Sequence, residues 1–472
     1  MSALTRAAHG SDGPRESLVD RALRYGVFPF HERVLRGRQI WKHRRFIDAS
    51  QWWSREQLKA HQWEELRRLL EHAYAQSPYW RRVFDAAHLT PAQISGYDDF
   101  LALPTLTKRD IRAHRPDMVA RDYAGRVWTK ATSGSTGEPF VFDYTPHSYD
   151  WRVAMSRRGY GWADYEEGMR QVSVWGAFSI GHRPPYLRLK DRLRDRMAGR
   201  ILLDALRLDE NQLAKIFDTV NSFKPWNIVG YANPLHAFAK YVSARGGLLV
   251  PIHSVISAAE KLYPHQRQDI EAAFGCRVFE TYGCREFMLV GAECEQHNGL
   301  HVSAENLFVE VLTESGRPAR HGESGELVIT DLHNYGMPFI RYRMGDTAIW
   351  SDDVCACGRG LPLLKEVTGR ILDAIRMPDG TIVPGEFFPH VFKEFAEVRQ
   401  YQIVQDSLDA IRVCIVKADG FDLSVQAAIH AQLRRMFGDV LTIHFEYLDA
   451  IPLTPAGKLR VTVSNLRAGT GR

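Results

Sequence analysis

The sequence contains few cysteines and no long apolar run. Six of its 472 residues are cysteine, which is too few for a disulfide-stapled scaffold. No stretch approaches the roughly 18 consecutive apolar residues that a membrane span requires. Residues 1–17 lack the apolar segment of a secretory signal, and we expect them to be disordered. These absences predict a cytoplasmic protein with reduced thiols.

The chain also lacks a strong excess of either positive or negative charge. The chain has 61 Lys and Arg against 56 Asp and Glu, for a net charge of +5, and 45% of its residues are hydrophobic. This composition is ordinary for a globular protein and excludes wholesale disorder and collagen. The basic stretches at 31–45 and 187–200 are not regularly interleaved with aromatic residues. They therefore favour solvated helix faces over nucleic-acid binding.

Apolar patterning predicts two domains. Apolar residues recur at helical spacing over 56–75. Short β-rich runs at 172–175, 226–229, 253–257 and 277–280 alternate with helical patterns at 213–223, 235–244 and 264–274. This alternation predicts an α/β domain over 18–369, with β-sheets flanked by helices. Strands at 398–405, 410–417 and 441–447 with a helix at 425–437 predict a small α+β domain over 370–472.

A loop rich in hydroxyl groups and glycine stands out. Residues 132–139 read TSGSTGEP. Backbone N–H groups and hydroxyls in such a loop can cradle phosphate oxygens, because glycine lets the backbone approach a ligand closely. The loop lacks the Gly-Lys-Ser/Thr of a Walker A motif. From the residues alone, a phosphate loop and a flexible turn are both open. The residues in question are Thr132, Ser133, Gly134, Ser135, Thr136 and Gly137.

Further short motifs follow the loop in order. They are SAAE at 257–260, ETYGCRE at 280–286, IRYRMGD at 340–346, Gly-Arg at 369–370 and PLTPAGK at 452–458. Their order and spacing resemble the acyl-adenylate-forming superfamily, and more narrowly the phenylacetate–CoA ligase family and its capsule-cluster relatives. SPYW at 77–80 and LPTLTK at 103–108 also match. The resemblance spans about residues 60–460.

The resemblance implies that the protein joins a carboxylic acid to ATP, which gives an acyl-adenylate and pyrophosphate. In the second step the acyl group would pass to coenzyme A, for which an amine or a carrier protein remains an alternative. The acid would be aromatic or otherwise apolar, bound near aromatic residues such as Phe140, Tyr144, Trp175, Phe178 and Tyr231. The small C-terminal domain would be mobile. A homodimer is compatible with the family, and a non-enzymatic zinc-containing binding protein is the remote alternative.

Residue roles follow from the same resemblance. Glu286 would hold Mg²⁺, Lys458 would reach the carboxylate and the α-phosphate as a mobile catalytic cation, and Arg370 would act at the domain junction. Tyr282 would flank the adenine and Asp346 would bind the ribose hydroxyls. The remaining implied ATP-binding residues are Ser257, Ala258, Glu260, Glu280, Thr281 and Gly283. Glu260 is equally well interpreted as a carboxylate at the start of a helix.

One departure from the family pattern leaves the acceptor open. The common superfamily pattern has Thr before the Glu of the Tyr-Gly motif, whereas this chain has Arg285. Residues 371–380 look closer to the capsule-cluster branch than to true phenylacetate ligases. That branch is not tied securely to coenzyme A.

Four cysteine and histidine residues suggest a metal centre. Three thiols and one imidazole form a common closed tetrahedral set for structural Zn²⁺. Cys294 and His301 precede the pair Cys355 and Cys357 by about 60 residues. Cys-x-Cys is tighter than the usual spacing, but several members of the family carry zinc here. His301 is preferred because it sits in a β-prone run, and His297 remains the alternative ligand.

Overall fold

A computed structural model describes residues 21–132, 140–175, 186, 195–204, 210–370, 375–378, 382–383, 387–392, 394–395, 397–452 and 459–466. The predicted disorder of residues 1–17 lies outside this part of the chain. The chain forms two compact units. The first comprises Met1–Gln39 and Tyr160–Glu280, and the second comprises Ile40–Gly159 and Thr281–Arg472.

Nineteen strands can be assigned in the described residues. In chain order they are β1 Trp128–Thr132, β2 Phe140–Tyr144, β3 Gln171–Trp175, β4 Arg200–Asp204, β5 Asn227–Tyr231, β6 Ser254–Ala258, β7 Arg277–Cys284, β8 Met288–Glu293, β9 Leu300–Val302, β10 Leu307–Leu312, β11 Ser324–Asp331, β12 Tyr342–Ser351, β13 Leu363–Arg370, β14 Ile375–Arg376, β15 Ile382–Val383, β16 Val398–Ser407, β17 Ala410–Lys417, β18 Thr442–Tyr447 and β19 Thr462–Ser464.

Helices account for most of the remaining regular structure. The α-helices of the described residues are Phe28–Phe30, Ile40–Ser50, Arg55–Gln76, Pro78–Ala86, Tyr97–Leu101, Lys108–Met118, Pro146–Trp162, Glu210–Phe223, Ala232–Ser243, Pro264–Phe274, Phe387–Phe392 and Leu423–Phe437. Short π-helical turns span Leu23–Val27 and His31–Leu35, and 3-10 turns span Pro91–Gln93 and Arg121–Tyr123. No helix of the described residues combines the length and the apolar character that a membrane crossing needs.

The first unit contains a parallel sheet covered by helices. Its strands run in the order β6-β5-β3-β4, and all three pairings are parallel. Every residue of β5 and β6 is buried, as expected when helices cover both faces of a parallel sheet. The apolar sides of the helices Glu210–Phe223, Ala232–Ser243 and Pro264–Phe274 pack into the same core. This confirms the α/β alternation predicted for this region.

The second unit contains an antiparallel sheet. Its strands run in the order β10-β11-β12-β13-β9-β8, and the end of β7 pairs with β8. The strands β1 and β2 form a separate antiparallel pair. The helix Arg55–Gln76 begins at Ser54, whose hydroxyl accepts a hydrogen bond from the Gln57 N–H while the Gln57 side chain bonds back to the Ser54 N–H. This capping box fixes where the predicted helix starts.

The C-terminal part forms a small α+β module. Its strands run in the order β18-β17-β16-β19, with β16 and β17 antiparallel and the outer pairings parallel. The helix Leu423–Phe437 buries Ile429, Leu433 and Phe437 in the same apolar core as Ile403 and Val413 of the sheet. The elements match those predicted for this region. The domain boundary between residues 369 and 370 stays a prediction.

Candidate functional site

A tight hairpin carries the Tyr-Gly motif. β7 ends at Cys284 and β8 begins at Met288, and the two strands pair antiparallel with a register shift beside Gly283. A Cβ atom at Gly283 would lie 1.9 Å from the Met288 carbonyl oxygen. No side chain fits there, so glycine is required for the close approach of the two strands. The hairpin holds Tyr282 on β7 and Glu286 in the connection.

Tyr282 and Asp346 are in direct contact. The Tyr282 hydroxyl donates a hydrogen bond to Asp346 Oδ2 at 2.6 Å, a length typical of a phenol bound to a carboxylate. Asp346 lies on β12, where it pairs with Arg370 of β13. The structure thus brings together two residues predicted to bind adenosine and the backbone of the predicted junction arginine. The side chain of Arg370 lies outside the described residues.

Glu286 is buried beside a tyrosine that the sequence reasoning did not assign. Only 6% of Glu286 is exposed, and Oε1 accepts a 3.4 Å hydrogen bond from the Tyr342 hydroxyl. Burial raises the pKa of Tyr342, and the nearby Glu286 raises it further. The phenol therefore stays protonated and can act only as a donor to the carboxylate. Tyr342 belongs to the IRYRMGD motif, which was the only signal in the sequence that could have identified it.

Neighbouring motif residues have a structural role. Arg341 is 3% exposed, donates to the carbonyls of Leu101 and Leu103, and pairs with Glu310 at 3.1 Å. The Leu106 N–H donates to the Arg341 carbonyl at 2.8 Å. The segments LPTLTK and IRYRMGD, which are far apart in sequence, are therefore neighbours in the fold. This anchoring fixes the start of β12, and hence the positions of Tyr342 and Asp346.

The predicted phosphate loop and catalytic lysine cannot be placed. Ser133, Gly134, Ser135, Thr136, Gly137 and Lys458 lie outside the described residues, as does the side chain of Thr132. The strands on either side of the loop are described, and the register pairs Thr132 with Phe140. The roles of these residues stay predictions.

Four of the predicted ATP-binding residues belong to the first unit. Ser257 and Ala258 end β6, and Glu280 lies 3.9 Å from Arg267. Glu260 Oε2 accepts a 2.9 Å hydrogen bond from the Asn233 N–H in the first turn of the helix Ala232–Ser243. A carboxylate at a helix N-terminus is favourable because the first N–H groups of a helix lack partners within it. This contact supports the helix-start interpretation of Glu260.

The predicted zinc ligands converge in the second unit. The ligand atoms of Cys294, His301, Cys355 and Cys357 all lie within 4.8 Å of one another. The Cys294 and Cys355 sulfur atoms are 3.6 Å apart, and Cys357 Sγ lies 3.4 Å from His301 Nε2. Such spacings fit donors arranged around one tetrahedral ion with bonds of about 2.0–2.3 Å. His297 instead lies 3.1 Å from Glu293 through Nδ1, so the geometry selects His301.

Local electrostatics suit a bound cation. Burial lowers the pKa of His301 to about 4, with repulsion from Arg359 as the next cause, so its imidazole is neutral and can offer a lone pair. Burial raises the pKa values of Cys294 and Cys355. The backbone N–H groups of Gln296 and Arg359 each lie 3.4 Å from a cysteine sulfur. Such N–H groups stabilise thiolates, and a dication would supply the remaining compensation for burying them.

The segment that carries Cys355 and Cys357 packs against the connection between the helices Ile40–Ser50 and Arg55–Gln76. Arg359 lies over the Trp52 ring at 5.0 Å and donates to Gln51 Oε1 at 3.0 Å. A Cβ atom at Gly360 would lie 1.9 Å from the Trp53 carbonyl oxygen. A metal at the four ligands would therefore hold this helix connection against the strands β8 and β9.

The chain is similar in sequence to CapK and to phenylacetate-coenzyme A ligases. The model of the CapK C-terminal domain family matches residues 375–465. Protein CapK of Staphylococcus aureus is 28% identical over 77% of this chain and 80% of its own length. Phenylacetate-coenzyme A ligase of Thermus thermophilus is 27% identical over 74% of this chain and 78% of its own length.

A solved structure has a similar fold. It is a 2-hydroxyisobutyryl-CoA ligase in the postadenylation state with a bound acyl-adenylate, and it matches with a TM-score of 0.67 and 18% identity. The match covers 87% of this chain and 90% of that chain. At this identity the likeness shows the fold alone. In sequence the chain is thus similar to CapK and to phenylacetate-coenzyme A ligases, and in fold it is similar to a coenzyme A ligase.

Proposed function

We propose that this protein activates a carboxylic acid with ATP as an acyl-adenylate, releases pyrophosphate, and transfers the acyl group to coenzyme A. The observation that carries the proposal is the grouping of Tyr282, Asp346, Glu286 and Tyr342 on the β7–β8 hairpin and the first half of β12. A polar pair for a nucleoside and a buried carboxylate for a metal thus lie on adjoining elements. The sequence relatives named as coenzyme A ligases support the same activity.

Each group in this arrangement has a chemical task. Asp346, oriented by the 2.6 Å bond from Tyr282, would accept hydrogen bonds from the ribose hydroxyls. Glu286 would hold Mg²⁺, which prefers carboxylate and phosphate oxygens and offsets the charge of the triphosphate. The Tyr342 bond fixes the carboxylate orientation. Lys458 would approach the α-phosphate and the acid carboxylate, where two anions must meet.

We propose an aromatic or otherwise apolar acid as the substrate. Trp175 and Tyr231 in the first unit have ring centroids 4.4 Å apart, and both are candidates to line the acid pocket. The Tyr144 ring lies against the cations of Lys130 and Arg152, which does not suit an apolar acid. Phe140 is 1% exposed and stacks with Phe142 and Tyr342, which favours a packing role for it. Phe178 lies outside the described residues.

We also propose a structural Zn²⁺ at Cys294, His301, Cys355 and Cys357. Four protein ligands leave no open position for substrate, and such closed sites stabilise folds instead of catalysing reactions. The packing of Arg359 and Gly360 on the connection at residues 51–54 supports this assignment.

The test of the proposed function separates the two half-reactions. Purified protein is incubated with ATP, Mg²⁺ and a panel of acids, and pyrophosphate release is measured before any acceptor is added. Coenzyme A, amines and a carrier protein are then supplied in parallel. A thioester formed with coenzyme A supports the proposal. If a product forms only when an amine is supplied, the second step forms an amide, and the acceptor is an amine instead of coenzyme A. No acid-dependent pyrophosphate release with any acid would count against the ligase.

The place of action follows from the co-substrates. ATP and coenzyme A are cytoplasmic metabolites, so we propose that the protein works in the cytoplasm. Its other partners would be small molecules.

A further inference from the structure

Two cationic side chains lie against one aromatic ring of the second unit, and a third, Arg285, lies in the Tyr-Gly hairpin. Lys130 lies on β1, Arg152 on the helix Pro146–Trp162, and Arg285 between β7 and β8. The Lys130 ammonium and the Arg152 guanidinium carbon lie 5.1 Å and 5.2 Å from the centroid of the Tyr144 ring. The Tyr149 ring is also near, at 5.8 Å from the ammonium. One aromatic ring thus contacts two cations.

Arg152 is buried with unsatisfied donors. Its side chain is 1% exposed, and its Nη2 atom pairs with Asp331 at 2.6 Å. Its Nε and Nη1 atoms have no hydrogen-bond partner among the described residues. Buried donors without partners are costly, and each such group in a folded protein calls for an explanation, for example an absent ion. The two unpaired donors leave positive potential beside Tyr144.

Lys130 and Arg285 add uncompensated charge. Burial, followed by repulsion from Arg152 and then from Arg285, lowers the pKa of Lys130 to about 8, against an opposing effect of Cys284. Arg285 is exposed and makes no hydrogen bond or ion pair with any residue that the structure describes. Like charges in a partly buried place repel one another. A bound anion would remove that repulsion.

The position of these cations indicates which anion. Lys130 precedes Ser133, the first residue of the predicted phosphate loop after β1, by three positions, and Arg285 is adjacent to Glu286, the proposed magnesium ligand. Arg285 also stands where the superfamily pattern has Thr. Lys130 and Arg285, the two cations that can reach a ligand, are therefore close in sequence to residues that are proposed to bind the triphosphate.

We propose that Lys130 and Arg285, backed by Arg152, bind the β- and γ-phosphates of ATP and the pyrophosphate formed from them. This inference rests on the proposed function. In adenylation, a carboxylate oxygen of the acid attacks the α-phosphorus, the bond from that phosphorus to the bridging oxygen of the β-phosphate breaks, and its electron pair leaves with pyrophosphate. Cations at the leaving group stabilise the charge that develops there.

The same cations would suit a second carboxylate on the acid substrate, since both ligands are oxyanions. Two arms of the experiment therefore separate the sources. The first arm measures binding of inorganic pyrophosphate, ATP and AMP by calorimetry, and the second compares monocarboxylic with dicarboxylic acids in pyrophosphate release. The variants are Lys130→Met and Arg285→Gln. Lys59→Met, on the exposed side of the helix Arg55–Gln76, is the matched control.

We expect each variant to weaken pyrophosphate and ATP binding by about tenfold or more, the size of one lost charge-assisted hydrogen bond. AMP lacks the β- and γ-phosphates, so its affinity should change little. Lys59→Met should bind all three probes like the wild type. Lys130→Arg keeps the charge and should retain most of the pyrophosphate affinity. Arg285 is exposed, so Arg285→Gln should keep its fold and provides the test even if Lys130→Met is unstable.

Other results would overturn the proposal in distinguishable ways. Wild-type protein that binds all three probes, with unchanged pyrophosphate affinity in both variants, would refute the phosphate assignment and leave the proposed function intact. Unchanged pyrophosphate affinity together with a lost preference for dicarboxylic acids would assign the cations to the substrate instead. Wild-type protein that binds neither ATP nor AMP would refute the proposed function as well.

Discussion

Replacing Cys355 by serine should release the metal and destabilise the second unit. Cys355 is 3% exposed, and its sulfur lies 3.6 Å from that of Cys294, 61 positions away in the chain. A metal joining the two residues closes a loop of that length. By analogy with a disulfide, closing such a loop stabilises the folded state by about 4 kcal/mol through the lost entropy of the unfolded chain. Losing it should lower the Tm of the second unit by about 6 °C.

Three measurements check this prediction. Elemental analysis should find about one zinc per wild-type chain and much less in Cys355→Ser. A strong chelator should lower the Tm of the wild type but leave that of the variant unchanged. Hydrogen exchange should accelerate at Gly360, because its N–H donates to the Gln51 carbonyl at 3.0 Å. Cys276→Ser, at a cysteine outside the four-ligand group, is the control and should keep its zinc.

Wild-type protein that is purified without metal, takes up none from a zinc buffer, and melts at the same temperature as Cys355→Ser would refute the proposed zinc site. If Cys355→Ser loses zinc but its Tm and hydrogen exchange do not change, the four residues bind zinc but the zinc has no structural role.

Three further predictions concern the proposed reaction. Asp346→Asn should weaken ATP binding by about tenfold. Tyr282→Phe removes only the hydrogen bond that orients Asp346 and should have a smaller effect. Equal ATP affinity of the wild type and Asp346→Asn in calorimetry would argue against the assignment of Asp346 to the ribose. Gly134→Val should abolish ATP binding because its branched side chain would occupy the space needed by the phosphates, and unchanged affinity would remove the loop from the site. Lys458→Ala should slow adenylation by about 10²–10³ but spare transfer from a supplied acyl-adenylate, as measured in separate half-reactions; equal losses in both would rule out this role.

Three of the four strands of the parallel sheet could be predicted closely, whereas β4, Arg200–Asp204, was not predicted. The run predicted at 172–175 corresponds to β3, Gln171–Trp175, and the helix predicted at 264–274 is Pro264–Phe274. Buried parallel strands are nearly continuous apolar runs. The helix begins with Pro264 and ends at Gly275, which adopts φ 67°, and these are standard start and stop signals.

The antiparallel part of the fold was harder to predict. β9 follows a turn at Gly299, and its β-prone run at 300–302 is too short to predict which strands it pairs with. Their pairing depends on contacts such as that of His301 with Leu363, 62 positions away. Register of this kind is decided by the assembled sheet and not by local sequence.

In the candidate site too, some features could be predicted from the sequence and others could not. Residue chemistry together with the family resemblance predicted the four candidate zinc ligands, because thiols and imidazole in this number suit zinc. The sequence already favoured His301 over His297 because of its β-prone run, and the structure places His301 with the three cysteines while His297 adopts φ 49° in the turn before β9 and lies against Glu293. The Tyr342–Glu286 contact joins residues 56 positions apart, so neither the contact nor the role of Tyr342 could be read from the motif alone.

The central claim is that this protein forms an acyl-adenylate, and isotope exchange between labelled pyrophosphate and ATP tests it most directly. Exchange requires adenylation to run in both directions, and it needs no acyl acceptor. We expect labelled ATP only when a suitable acid and Mg²⁺ are both present, with little exchange in Lys458→Ala. Absence of acid-dependent exchange across a broad acid panel, in protein that is folded and loaded with zinc, would contradict the claim.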